Sequence, residues 1–207
     1  MGMGDPLLNY ENTWQAIETL NDPQGFDLRA RHMTISTAGI VPAIDRMAQE
    51  PLQVGLSISL HASDDALRSR LVPVNRRYPL RELMAACHRY VARTGRRITF
   101  EYALIAGVND SPAQAEAVTK LLGNLLCHVN LIPLNATGNT TLKPSSKQTV
   151  HAFQAVLQAH HIPTTIRLGR GVDIQAGCGQ LRSQRASAYH ETSSQQRGTT
   201  GDSPATR

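Results

Sequence analysis

An alternation of two periods along the chain constrains its fold more than any other feature. Stretches 33–37, 54–60, 98–104, 128–133 and 164–168 are short and rich in Val, Ile, Thr or Phe, the composition of β-strands. Stretches 10–20, 40–49, 79–93, 111–122 and 147–160 carry apolar residues at helical spacing. In 79–93, Leu80, Leu83, Met84, Cys87 and Val91 fall on one stripe. Ser111 followed by Pro112 is an N-cap with proline at the first helical position. Strands separated by helices imply a parallel sheet with helical crossovers, its strands buried on both faces. A doubly wound dinucleotide-binding sheet needs Gly-x-Gly-x-x-Gly after its first strand, whereas MGMGDP has two glycines and then a proline. The expected class is α/β, with the sheet curved as a partial barrel.

The two ends differ from the body. The chain opens on a glycine turn, Met1-Gly2-Met3-Gly4-Asp5-Pro6, that leads directly into helix-like sequence. Such turns sit at the carboxyl end of a barrel strand, so the barrel is expected to lack its first strand or strands. Residues 182–207 are rich in Ser, Thr, Gln and Gly with one aromatic, too little apolar surface to offset the entropy of ordering. The expectation is a core over 1–181 and a disordered polar tail over 182–207. The net charge is +5. Arg182, Arg185, Arg197 and Arg207 against Glu191 and Asp202 account for +2, which leaves +3 on the body. That excess permits nucleic-acid contact without arguing for it. Three cysteines in 207 residues make no disulfide framework. No run approaches the ~20 apolar residues of a membrane span, and no basic segment followed by an apolar core opens the chain. A cytoplasmic protein with no membrane partner is expected.

Polar residues collect at the strand ends, where a barrel places its site: Gly4 and Asp5, Ser36 and Thr37, Ser59 and His61, Glu101, Asn135, then Cys178 between two glycines. Small polar groups with glycine-permitted backbone approach suit an amino-acid or nucleoside ligand better than a metal. Each has a plainer reading. The glycines make a turn, the serines are satisfied wall residues, His61 helps cap the next helix, and Asn135 belongs to a turn. Cys87 lies on an apolar helical stripe and Cys127 among Leu125, Leu126 and Val129, so both read as core. Cys178, in Gly177-Cys178-Gly179, is a thiol placed for nucleophilic or redox chemistry. No metal ligand set is visible: His151, His160, His161 and His190 are scattered or terminal. Residues 68–77, RSRLVPVNRR, set four arginines around a Pro-Val-Asn turn. They read either as a phosphate-contacting loop or as a solvated basic one.

Taken in order, MGMGDPLLNYE, TISTAGIVPAI, SISLHASDD, RLVPVNRRY, FEYALIAGVNDS, HVNLIPLN and GVDIQAGCGQL resemble the radical-SAM adenine-C2 methyltransferases of 23S rRNA and tRNA. The resemblance covers about residues 1–182. It implies a partial (β/α) barrel of the radical-SAM type whose polar cup holds S-adenosylmethionine. Gly4 and Asp5 match the family's Gly-Glu pair, which meets the methionyl end. Ser36 matches the serine after the next strand, and Ser59, Leu60 and His61 match Ser-Leu-His. Asn135 matches the asparagine of Ile-Pro-x-Asn, and Cys178 the cysteine that is itself methylated.

The implied chemistry explains that cysteine. Adenine C2 is not nucleophilic, so a sulfonium does not methylate it directly. In the family, one S-adenosylmethionine methylates the cysteine. A second, reduced by a 4Fe–4S cluster, yields a 5′-deoxyadenosyl radical that takes hydrogen from the S-methyl group. The resulting carbon radical adds to C2, and a second cysteine releases the product. The target base must leave its stack. An electron donor such as flavodoxin or ferredoxin is implied.

Three departures stand out. Gly-Asp replaces Gly-Glu, ATGNTTLKPSS lacks the family's proline-rich character, and the cluster-binding CxxxCxxC is absent from this chain. Cys87 and Cys127 match neither the cluster ligands nor the resolving cysteine. The expected function is therefore radical methylation of adenine C2 by an N-terminally truncated chain. The alternatives are a non-catalytic remnant that binds S-adenosylmethionine or RNA, and an unrelated barrel enzyme with a redox thiol at Cys178.

Overall fold

The computed structural model describes residues 4–134 and 142–167; Asn135, Cys178 and the expected tail 182–207 lie outside them. A 3-10 turn, Pro6–Asn9, leads into α1 (Tyr10–Asn21), and a second, Ala30–His32, into β1 (Thr34–Thr37). Then follow α2 (Val41–Met47), β2 (Gly55–Ser59), α3 (Asp65–Leu71), a 3-10 turn Pro73–Arg76, and α4 (Leu80–Thr94). The last elements are β3 (Ile98–Leu104), α5 (Pro112–Leu122), β4 (Cys127–Pro133), α6 (Lys147–Ala159) and β5 (Thr164–Ile166). Every expected strand and helix forms, with ends shifted by up to a few residues.

Local chemistry accounts for the boundaries. Asp64, Ser111 and Ser146 cap α3, α5 and α6, each accepting from a backbone N–H three residues on. Pro112 fills the first position of α5. Gly95 ends α4 with φ +66°, and its N–H closes onto the Val91 carbonyl. Residues 68–77 are not the basic loop that the sequence suggested. They hold the end of α3 and a 3-10 turn, with Arg68 and Asn75 buried and Arg70, Arg76 and Arg77 exposed.

The strands are ordered β1-β2-β3-β4-β5 and every neighbouring pair is parallel. Sequential neighbours joined by right-handed crossovers put the helices on one side, as in a barrel. A doubly wound sheet would instead reverse its order at a switch point. Among the described residues β1 and β5 are the edges.

Burial alternates along β3 and β4 rather than covering both faces, which corrects the sequence expectation. Ile98, Phe100, Tyr102 and Leu104 of β3, with Val129 and Leu131 of β4, are fully buried. They join Leu83, Cys87 and Tyr90 of α4, Val118 and Leu122 of α5, and Phe153 and Leu157 of α6 in one core. Between them lie the partly buried polar residues Thr99 and Glu101 of β3 and His128 and Asn130 of β4, and Ser59 of β2, also partly buried, pairs with Glu101. A one-residue step along a strand changes face, so the polar residues share the inner face. No helix among the described residues is long and apolar enough to cross a membrane.

Candidate functional site

The glycine turn is fastened to the end of β1 by one carboxylate. Asp5 Oδ1 accepts from the Leu7 N–H at 3.0 Å and so caps the first 3-10 turn. Its Oδ2 accepts from the Ala38 N–H at 2.6 Å and the Thr37 hydroxyl at 2.8 Å. Gly4 precedes it with φ +114° and with open space at its Cβ position, so the backbone conformation alone calls for glycine. Ser36, one step from Thr37, is exposed on the inner face of β1.

At the end of β2, Ser59 is partly buried on the inner face, and Leu60 is fully buried in the core. Both backbone groups of Leu60 are engaged, its N–H by the Glu101 carbonyl and its carbonyl by Arg68 Nε. His61 then adopts φ +59°, a left-handed conformation unusual for a residue with a side chain. The turn brings the imidazole beside β3, where Nδ1 accepts from the Ala103 N–H at 3.0 Å. An accepting Nδ1 carries no proton, so the neutral ring holds its hydrogen on Nε2. Burial, with the Arg68 charge adding to it, pushes the His61 pKa down to about 4. At neutral pH this side chain is an uncharged N–H donor.

Two residues hold this segment from behind. Arg68 of α3 is fully buried and donates to the carbonyls of Ala38 (2.8 Å), Ser59 (2.8 Å) and Leu60 (3.1 Å), and to Asn75 Oδ1 (2.8 Å). Burial lowers its pKa to about 10, with Asp65 opposing, so it stays cationic at neutral pH. The turn at Gly39 (φ +109°) passes close by: a Cβ there would lie 3.1 Å from Leu83 Cδ1 and 3.4 Å from Arg68 Nη2. Asn109, also fully buried, donates to the His61 carbonyl at 2.8 Å and the Ala103 carbonyl at 2.7 Å. Its Oδ1 accepts from the Ile105 N–H at 2.8 Å. The ends of β1, β2 and β3 are thereby fixed relative to one another.

Of the residues singled out in the sequence, the structure brings Gly4, Asp5, Ser36, Ser59 and His61 together at the carboxyl ends of β1 and β2. Leu60 belongs to the same segment but anchors it in the core. Asn135 and Cys178 lie outside the described residues.

No family model matches the chain. Over 87% of its length it is 55% identical to the probable dual-specificity RNA methyltransferase RlmN of Chloroflexus aurantiacus, covering 50% of that protein. It is 51% identical, over 88% of its length, to the probable dual-specificity RNA methyltransferase RlmN of Pelotomaculum thermopropionicum, again covering 50%. The crystal structure of a radical SAM methyltransferase from Sphaerobacter thermophilus matches 87% of the chain and 53% of its own, at 56% identity and a TM-score of 0.85. By sequence, the chain is similar to one part of the radical-SAM RNA methyltransferases. It spans about half the length of the curated relatives it matches. A domain of pyruvate-formate lyase-activating enzyme from Bacteroides vulgatus shares the fold at 17% identity and a TM-score of 0.62.

Of the two groups that the resemblance implies, the described residues fit one and not the other. The polar inner face, with the Ser59 hydroxyl and the His61 N–H at a strand end, suits a nucleoside sulfonium. A 4Fe–4S cluster finds no ligands: no group of three or more His, Cys, Asp or Glu among the described residues stands close enough to hold a metal. Cys87 and Cys127 are buried core residues, as their apolar settings indicated, and burial pushes their pKa values up to about 12 and about 11. Sequence reasoning missed Arg68 and Asn109 as site residues. The one available signal was an arginine on the helix that follows β2 and an asparagine in the loop that follows β3.

Proposed function

We propose that this chain forms the S-adenosylmethionine-binding sheet, and carries the acceptor cysteine, of a radical-SAM methyltransferase acting on adenine C2 of 23S rRNA and tRNA. The observation that carries this reading is the convergence of Gly4, Asp5, Ser36, Ser59 and His61 at the carboxyl ends of two adjacent parallel strands. That edge is where α/β folds bind ligands. Bound S-adenosylmethionine supplies a methyl group and, on one-electron reduction, a hydrogen-abstracting radical.

The roles of the chain's own residues follow from their environments. Asp5 spends both oxygens on the chain itself, so it shapes the glycine turn rather than reaching a ligand. Ser36 and Ser59 offer hydroxyls on the inner face. His61 offers a neutral N–H donor that neither competes with nor repels a sulfonium cation. Cys178 is the methyl acceptor by its match to the family's Cys-Gly-Gln-Leu sequence. Asn135, matching Ile-Pro-x-Asn, adds an amide. Arg70, Arg76 and Arg77, exposed on one segment, are suited to RNA phosphates. The one-electron reductant is a protein of flavodoxin or ferredoxin type.

Isothermal titration of the chain with S-adenosylmethionine tests this reading. Saturable binding that weakens in His61→Ala is the expected result, and no saturable binding by the unaltered chain overturns it. RNA binding, read by gel shift, is expected to weaken steeply as salt rises.

A further inference from the structure

The inner face carries one more group that the reading above does not use. Ser59, Glu101, Asn130 and Thr165 occupy one rung across β2, β3, β4 and β5. Glu101 Oε1 accepts from Ser57 Oγ at 3.0 Å and from Asn130 Nδ2 at 3.1 Å. Glu101 Oε2 is buried and has no hydrogen-bond partner. Both neighbouring donors therefore converge on one carboxylate oxygen, and the other is left empty-handed.

The neighbours are not free to rearrange. Asn130 Oδ1 is held by the Thr165 hydroxyl, and His128 Nε2 lies 3.0 Å from both Asn130 Oδ1 and Thr165 Oγ1. These contacts point the Asn130 amide nitrogen at Glu101, since the flipped amide would set its oxygen against a carboxylate. Ser57 is itself buried, with its hydroxyl already committed to Oε1. A buried carboxylate oxygen without a donor is costly, and nothing in this network supplies one.

The position of Glu101 indicates what does. It shares a rung with Ser59, and two residues on, Ala103 donates to His61. Oε2 therefore belongs to the floor beneath the two residues assigned to the ligand. We propose that Glu101 is a ligand-binding residue, its Oε2 accepting a hydrogen bond from an O–H or N–H group of bound S-adenosylmethionine. This rests on the reading of the sheet as the S-adenosylmethionine site. Glu101 completes there what the short, fully engaged Asp5 does not provide: a carboxylate oxygen open to the ligand.

Glu101→Gln separates binding from scaffolding. The amide oxygen keeps the Ser57 and Asn130 contacts, and an NH2 group replaces Oε2, turning an acceptor into a donor. Calorimetry is expected to show S-adenosylmethionine binding weakened about 10- to 100-fold, as for loss of a hydrogen bond to a charged group. The melting temperature without ligand should not fall, because the amide does not leave a buried charge unpaired. Ser57→Ala, which removes a donor from Oε1 only, should bind within about threefold of the unaltered chain. Wild-type affinity in Glu101→Gln overturns this inference alone. No binding by the unaltered chain overturns both it and the reading beneath it. If Glu101→Gln does not fold, a crystal structure of the unaltered chain with S-adenosylmethionine decides. A ligand donor within 3.2 Å of Oε2, the usual hydrogen-bond range, sustains the inference, and Oε2 paired to water or to nothing overturns it.

Discussion

On the helix-covered face of the sheet, Ile58, Phe100, Leu104 and Val129 are 0% exposed and belong to one apolar core. One residue away on the same strands, Ser59, Glu101 and Asn130 are partly buried, and a hydrogen-bonded network joins Glu101 and Asn130 to Ser57 and Thr165. The backbone is common to both faces, so the difference lies wholly in the side chains and in what covers them. The covered face holds the fold through area removed from water. The inner face adds little to that and holds polar groups whose partners are only partly supplied by the protein. Substitutions on the two faces should therefore register in different measurements.

The largest effect belongs to the covered face. Phe100→Ala should cost about 3–5 kcal/mol in urea unfolding, and a loss below about 1 kcal/mol would mean that β3 is not part of the core. Next comes Arg68, a charge on the covered side that serves the inner one. Arg68→Met removes the charged donor shared by the Ala38, Ser59 and Leu60 carbonyls, of which Leu60 keeps the Ala62 N–H, and should cost about 3 kcal/mol or more. It should also raise the His61 pKa, because the Arg68 charge helps to depress it. An NMR titration showing an unchanged His61 would refute that coupling.

His61 sets a pH window. Its folded pKa, about 4, lies below the ordinary 6.5, so the unfolded chain binds this proton first as pH falls. Stability from this group is full above pH 6.5, declines between 6.5 and 4, and changes no further below the folded value. The total loss is on the order of 3 kcal/mol. His61→Asn, whose side chain tolerates the left-handed conformation, should flatten the stability profile across that window. A profile as steep as the unaltered chain's would assign the slope to other groups. The smallest effect on folding belongs to the inner face: Ser59→Ala should change stability by no more than about 0.5 kcal/mol while weakening S-adenosylmethionine binding several-fold. Equal losses in both would erase the contrast between the faces.

The strands, the capped helices and the glycine turn could be read directly, because each is written in neighbouring residues. Ser111-Pro112 starts a helix wherever it occurs, and the stripe in α4 needs no partner to be recognised. The arginine segment was the misleading place. Arg68 and Arg70 look alike in the chain, yet one is fully buried and the other exposed. What distinguishes them is a set of carbonyls from Ala38, Ser59 and Leu60, groups that every residue carries and no sequence motif marks. Asp5 is a similar case. Its match to the family's acidic position is plain, but its commitment to the Ala38 N–H and Thr37 shows only once β1 lies beside the turn.

The alternation of strand and helix periods, with caps and turn glycines, determines a parallel α/β sheet, because hydrophobic periodicity and turn chemistry act within a few residues. The ordered motifs determine which known proteins that sheet resembles. Only the tertiary structure decided that one strand face is polar and open, that His61 is a neutral donor, that Arg68 is a buried clamp and that Glu101 keeps an unpaired oxygen. Those properties come from groups brought together across strands, where burial and hydrogen-bond partners, rather than residue type, set what a side chain can do.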